Sequence, residues 1–214
     1  MIKEEFEKFK NHKSVKRWSV DVFDKTKWST GSWSTLQRTL RKSKDHKENK
    51  KLYEKLREDC KEYIFDEIFN FFPDGIDKID LWYKNIITRD YGLSYLSIGH
   101  RQKMVNILIK YFLTYFHTTK DTDIEFCKRF NRNISHIHIP IDNIVLESIY
   151  KNDIYRNKFQ NRITKKGKQH YLDSKPWSRI TDYKSYSNFQ NTIRNLSKSE
   201  GMSSIEFEMK KLWS

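Results

Sequence analysis

Apolar residues recur along this chain mostly at three- and four-residue intervals, the pattern of helices that bury one face. Ile2, Phe6 and Phe9 share one side of a short amphipathic helix predicted over 2–12. The clearest long helix runs over 49–72, where Leu52, Leu56, Tyr63, Ile64, Ile68, Phe71 and Phe72 follow the 3.6-residue period. Pro73-Asp74-Gly75 ends it. Ile79, Leu81, Trp82 and Ile86 predict a helix over 77–88, and after the break at Tyr91-Gly92-Leu93 comes another over 101–117. A short helix over 122–130 follows. Pro140 suits the opening of a helix over 141–150. Two last helices fall over 183–196 and 203–213.

Other stretches lack that period. Over 17–35 Val20 and Val22 alternate, which suggests a short strand. Thr30-Gly31-Ser32 reads as a turn, with Ser32 or Ser34 capping a helix over 35–43. Residues 42–51 are charge-dense and read as solvated, and 151–180 are basic and irregular. No internal repeat or low-complexity tract interrupts the chain. The fold class is therefore mainly α: one compact helical domain over 1–214, with a basic N-terminal region over 1–60, a core over 61–150 and a basic C-terminal region over 151–214.

Composition sharpens this picture. Hydrophobic content is only 36%, but aromatic content is 15%, so the core is expected to be rich in rings and the chain to be folded rather than disordered. Six glycines and three prolines speak against a turn-dense β-sandwich. The two cysteines, Cys60 and Cys127, exclude a disulfide framework and a four-cysteine metal site. The longest apolar run, Met104 to Phe116, is interrupted by Asn106 and Lys110 and falls short of a membrane span. The charged opening Met1-Ile2-Lys3-Glu4-Glu5 does not resemble a secretory leader. These features predict a cytoplasmic protein with reduced thiols and no membrane partner. Phosphate-loop, zinc-protease and nucleophile-elbow motifs are absent from the sequence, and nothing in it calls for a cofactor.

Charge changes the picture most. Lys and Arg number 42 against 28 Asp and Glu, a net charge of +14. Such an excess repels itself unless an anionic partner relieves it, and nucleic acid does so by giving up condensed counterions. The excess is concentrated in the flanks: 17 basic against 10 acidic residues over 1–60, and 12 against 4 over 151–200. Two basic flanks around a more balanced middle suit a groove that tracks a phosphate backbone. Arg162, Lys165, Lys166 and Lys168, with His170 and Tyr171 beside them, form the densest phosphate-contact candidate. Trp18, Trp28 and Trp33 read as core anchors before base-stacking platforms. An acidic protein is the alternative partner.

The stretch Leu96-Ser97-Ile98-Gly99-His100-Arg101-Gln102-Lys103-Met104-Val105-Asn106, followed later by Ile139-Pro140-Ile141-Asp142-Asn143, resembles the helix-hairpin-helix DNA glycosylase superfamily. Gly99 matches the first hairpin glycine, Lys103 the Schiff-base lysine of bifunctional members and Asp142 the essential aspartate. The resemblance implies a split helical fold and a DNA substrate in preference to RNA. It also implies Gly99, His100 and Arg101 at a phosphate, Lys103 as candidate nucleophile and Asp142 stabilising the charge that builds as a base departs. This chain has Arg101 in place of the second hairpin glycine, a longer spacing from Lys103 to Asp142, and Asn143-Ile144 in place of the family's Thr-His pair. The same region is also similar to uncharacterised small proteins of bacterial and phage genomes, through Gly99, Gln102, Lys103, Asn106, Lys110, Tyr111, Pro140 and Asp142. That resemblance implies a mobile-element or defence context and no chemistry.

Two smaller patterns complete the reading. His136 and His138 share a face of an extended segment and, with His100 or Asp142, present metal-ligand chemistry. Arg129 and His136, six residues between them, are similar to the Arg–His pair of HEPN-type ribonucleases. Two functions follow from the whole: a glycosylase-like enzyme using Asp142 and Lys103, or a non-catalytic module that binds nucleic acid or an acidic protein. The spatial relation of Lys103 to Asp142 separates them.

Overall fold

The computed structural model describes residues 2–36, 50–93, 96–119 and 125–213, without the side chains of 50, 52, 53, 126 and 127. The chain is mostly helical. Helices α1 (Ile2–Asn11), α2 (Lys13–Lys16) and α3 (Lys25–Ser34) precede the long α4 (Lys50–Phe71), α5 (Ile76–Thr88), the central α6 (Ile98–Thr118) and α7 (Glu125–Arg132). Then come α8 (Asn143–Lys151), α9 (Asp153–Lys158) and a small antiparallel sheet of β1 (Ile163–Lys166), β2 (Gln169–Leu172) and β3 (Lys175–Pro176). Helix α10 (Tyr183–Ser199), α11 (Ser204–Phe207) and a π turn over Glu208–Leu212 close the chain.

Side-chain caps set most of the helix starts. Asp24, Ser97, Asp142, Asn152, Asp182 and Ser203 each accept a hydrogen bond from a backbone N–H of the first turn they precede. Ser203 and Glu206 form a reciprocal capping box.

Several local expectations are corrected. The Val20–Val22 stretch is a turn rather than a strand, because the Asp24 cap starts α3 at Lys25. That helix continues through Thr30-Gly31-Ser32. Gly31 is needed for packing, since a Cβ there would lie 2.8 Å from the Trp18 ring. Ser32 and Ser34 lie inside the helix and donate to the carbonyls of Ser29 and Gly31, at 2.9 and 2.7 Å. The helix expected over 35–43 and the solvated run 42–51 fall largely on residues 37–49, outside the described ones. Pro140 does not open a helix. It lies in a buried extended segment, and α8 begins at Asn143, behind the Asp142 cap. The irregular region 151–180 contains α9 and the sheet.

The buried apolar residues form one continuous core from Phe6 to Leu212. Its aromatic half is centred on Phe112 of α6, whose ring lies 5.4 Å from Trp28, 5.3 Å from Phe65 and 5.6 Å from Phe130. Leu81, expected inside, is 57% exposed, while its neighbours Trp82 and Tyr83 are buried.

The other side of α6 carries a buried polar stripe. Gln102, Asn106, Lys110 and Thr114 are spaced by four residues and have no exposed surface. Gln102 and Asn106 face the extended segment Ile137–Ile141, whose residues are also buried. Gln102 accepts from Ile141 N–H at 3.0 Å and donates to its carbonyl at 2.8 Å. Gln190 of α10 treats Ile139 the same way, at 3.1 and 2.8 Å. Asn106 adds a donor to the Ile139 carbonyl at 3.1 Å, and the Tyr83 hydroxyl accepts from His138 N–H at 3.1 Å. Side-chain amides thus supply the ladder that a neighbouring strand would otherwise give. Further along the stripe, the Lys110 ammonium pairs with Glu208 at 2.9 and 2.8 Å, both side chains wholly buried.

Replacing Gln102 by Leu leaves both polar groups of the Ile141 peptide without their partner. The expected cost is about 2–5 kcal/mol, read from urea denaturation. A loss under about 1 kcal/mol would contradict the ladder's importance.

Candidate functional site

The first turn of α6 holds three residues singled out by the sequence, Gly99, His100 and Arg101. Ser97 caps it, its hydroxyl accepting from His100 N–H and donating to the Ser178 carbonyl at 2.7 Å. The His100 ring returns a bond to Ser97 N–H through Nδ1. Gly99 N–H is donated to the Ile180 carbonyl at 3.0 Å. A Cβ on Gly99 would fall 1.7 Å from the Trp177 carbonyl oxygen. The glycine is therefore required by the close approach of a protein backbone, the 3-10 turn Trp177–Arg179, and the Gly99 and His100 amides are taken up by Ile180 and Ser97 rather than turned toward a phosphate.

His100 is buried, and desolvation, reinforced by Lys103 and Arg101, pushes its pKa down to about 4, leaving it neutral at pH 7. Arg101 is half-buried, its guanidinium reaching the Ile87 carbonyl at 3.4 Å and lying 5.6 Å from the Tyr91 ring centre.

Lys103 and Asp142 do come together. Lys103 Nζ lies 3.1 Å from Asp142 Oδ2 and 4.7 Å over the Trp177 ring. The other carboxylate oxygen, Oδ1, accepts from Ile144 and Val145 N–H at 3.0 and 3.1 Å, capping α8. The pair thus joins α6 to α8, with side chains only 13% and 11% exposed. An ion-paired ammonium is not a free amine nucleophile, and a carboxylate engaged through both oxygens has little left to offer a substrate.

The basic patch divides in two. Arg162 forks onto Asp173 at 2.8 and 2.6 Å and fastens the base of the β1–β2 hairpin. Lys165, Lys166 and Lys168 are exposed around its two-residue turn, where Gly167 takes φ +60°. None of the three has an ion-pair partner among the described residues. The hairpin is seated on α8 through Asn143, whose side-chain oxygen accepts from His170 N–H and from Gln169 Nε2, at 2.9 and 3.2 Å.

Neither of the smaller patterns assembles. His138 is buried between partners: Nδ1 lies 2.8 Å from the Tyr186 hydroxyl, Nε2 3.2 Å from Asp80, and the ring stacks on Tyr83 at 3.9 Å. Among the described residues no three His, Cys, Asp or Glu side chains group as metal ligands. Arg129 donates to the carbonyls of Phe69, Asn70 and Phe72 and caps the end of α4. The Cys60 thiol is buried and pushed up to about 12 by desolvation, so it is inert.

The sequence reading missed the cluster around Asp80. That carboxylate takes the Arg194 guanidinium at 2.8 and 3.2 Å as well as His138, and is held well below the usual carboxylate range by these two partners against its desolvation. Only the spacing of the histidines pointed to this region. Compared with family models, curated proteins and solved structures, the chain matches none.

Buried His100 and His138 and half-buried His117 set a pH dependence. His100, His117 and His138 are each lowered to about 4, chiefly by burial, against about 6.5 in an unfolded chain. Between these values the unfolded chain binds more protons, so stability is greatest above pH 6.5 and falls as pH drops toward 4. Buried Glu208, raised by desolvation, opposes this to some extent. The melting temperature is expected to fall steadily from pH 7 to pH 4.5; a flat or rising profile would contradict neutral burial of these rings.

Proposed function

We propose that this chain is a non-catalytic nucleic-acid-binding protein that presents the β1–β2 hairpin to phosphates. One observation carries this reading: Lys165, Lys166 and Lys168 are exposed at one turn and lack ion-pair partners among the described residues, in a chain of net charge +14. The nearby Arg162 and the more buried Lys103 and Lys110 are neutralised within the fold. A base-releasing reaction would require the Lys103–Asp142 pair to separate and Asp142 to leave the cap of α8, which favours binding over chemistry. No helix among the described residues is long and apolar enough to cross a membrane.

The test is binding to labelled duplex DNA across a salt series, for the native chain and for K165A/K166A/K168A. The native chain is expected to bind with strong salt dependence. The variant is expected to bind more weakly, with a slope of log K against log salt shallower by up to about 2.7, from roughly 0.9 for each phosphate no longer neutralised. Unchanged affinity and slope would remove the hairpin from the interface. No binding at low salt would overturn the reading in favour of an acidic protein partner.

A further inference from the structure

A cleft of about 320 Å³ opens between α1 and the C-terminal π turn. Its floor is aromatic, the Phe9 and Trp213 rings lying 5.3 Å apart at 54°. The Trp213 ring is held in place from beneath, with the buried Lys110 ammonium 4.5 Å from its centre and Glu208 in turn fixing that ammonium. The backbone just before it is tied down by Ser148, whose hydroxyl donates to the Leu212 carbonyl at 2.7 Å. The π turn itself is a rare backbone form that is frequent at functional sites. An indole fixed from below, at the mouth of a cleft, is a ready stacking surface for a planar ring.

The rim carries cations. Lys8 is 72% exposed and pairs with the neighbouring Glu5, at 3.0 Å. Lys210 sits 3.7 Å from Glu206, and the His12 ring lies 5.3 Å from Trp213. With its ammonium largely in solvent, Lys8 can turn from Glu5 to an incoming phosphate at small cost, whereas Lys210 and Glu206 are only 21% and 22% exposed. The volume lies at the lower end of the roughly 300–1,000 Å³ range of small-molecule sites, which suits one nucleotide and not a duplex.

We infer that this cleft binds a nucleotide, its base stacked on Trp213 and its phosphate between Lys8 and Lys210. The site is separate from the hairpin and does not rest on it.

Calorimetric titration with adenosine monophosphate, adenosine, inorganic phosphate and a short 5′-phosphorylated single strand tests the inference. Adenosine monophosphate should bind more tightly than adenosine or phosphate alone. K8E/K210E, two changes at the rim whose fold is checked by circular dichroism, should weaken the monophosphate at least about tenfold, or about 1.4 kcal/mol, and leave adenosine little changed. Trp213→Phe keeps a ring over Lys110 and should weaken both. K165A/K166A/K168A should leave monophosphate binding intact, so failure of the hairpin reading and failure of this one are distinguishable. Tighter binding of the phosphorylated strand than of the monophosphate would identify a strand end as the ligand, and the reverse order a free nucleotide; either supports the site. Absence of binding by both, binding indifferent to K8E/K210E and Trp213→Phe, or binding of phosphate as tight as that of the monophosphate would overturn it.

Discussion

A stretch of extended backbone buried among helices has peptide groups that no helix backbone can satisfy, and the segment Ile137–Ile141 places this chain under that constraint. Gln102 and Gln190 answer it with paired bonds to Ile141 and Ile139, and Tyr83 accepts from His138. Each partner belongs to a different helix, so α5, α6 and α10 are all docked onto one strand-like segment. An unpaired peptide group there would cost about 1–3 kcal/mol, and misplacing any of the three helices exposes the fold to that loss. The segment also delivers Asp142 to the start of α8, and from there to Lys103.

The same economy accounts for the motif that resembles a DNA glycosylase. Gly99 admits the Trp177 carbonyl, His100 caps its own helix, and Lys103 and Asp142 bind α6 to α8. These residue types at this spacing do architectural work here. A cluster of unpaired charge lies outside this architecture at the hairpin turn, and the half-buried Trp213 ring lines the cleft beside α1. The proposed functions rest on those two places.

The long helices were legible because their apolar positions repeat over many turns: the structure has Lys50–Phe71, Ile76–Thr88 and Ile98–Thr118 close to their expected places. Helix α6 nevertheless begins three residues before the predicted 101, because the Ser97 cap, not the apolar period, sets its start. The hairpin was not legible. Its inner face holds two apolar residues, Ile163 and Leu172, beside the buried His170, and the lysines between them read as loop. The buried stripe of Gln102, Asn106, Lys110 and Thr114 was visible as spacing, but polar residues at a helical period suggest solvent; Gln102 and Asn106 are covered by a segment more than thirty residues away, and Lys110 meets Glu208 from the far end of the chain. Pro140 misled for a related reason. Proline suits a helix start, yet it also suits an extended segment where its missing N–H needs no partner. Of the candidate site, the sequence motif singled out Lys103 and Asp142 but left their spatial relation open, and their mutual neutralisation depends on where α8 is capped.

The central claim is that side-chain amides hold segment Ile137–Ile141 within the core. Native-state hydrogen exchange of the Ile139 and Ile141 amides measures this most directly. If the claim holds, both exchange only through global unfolding, as slowly as the amides in the middle of α6. Exchange at the faster rate of an ordinary connecting loop, with α6 still protected, would contradict it.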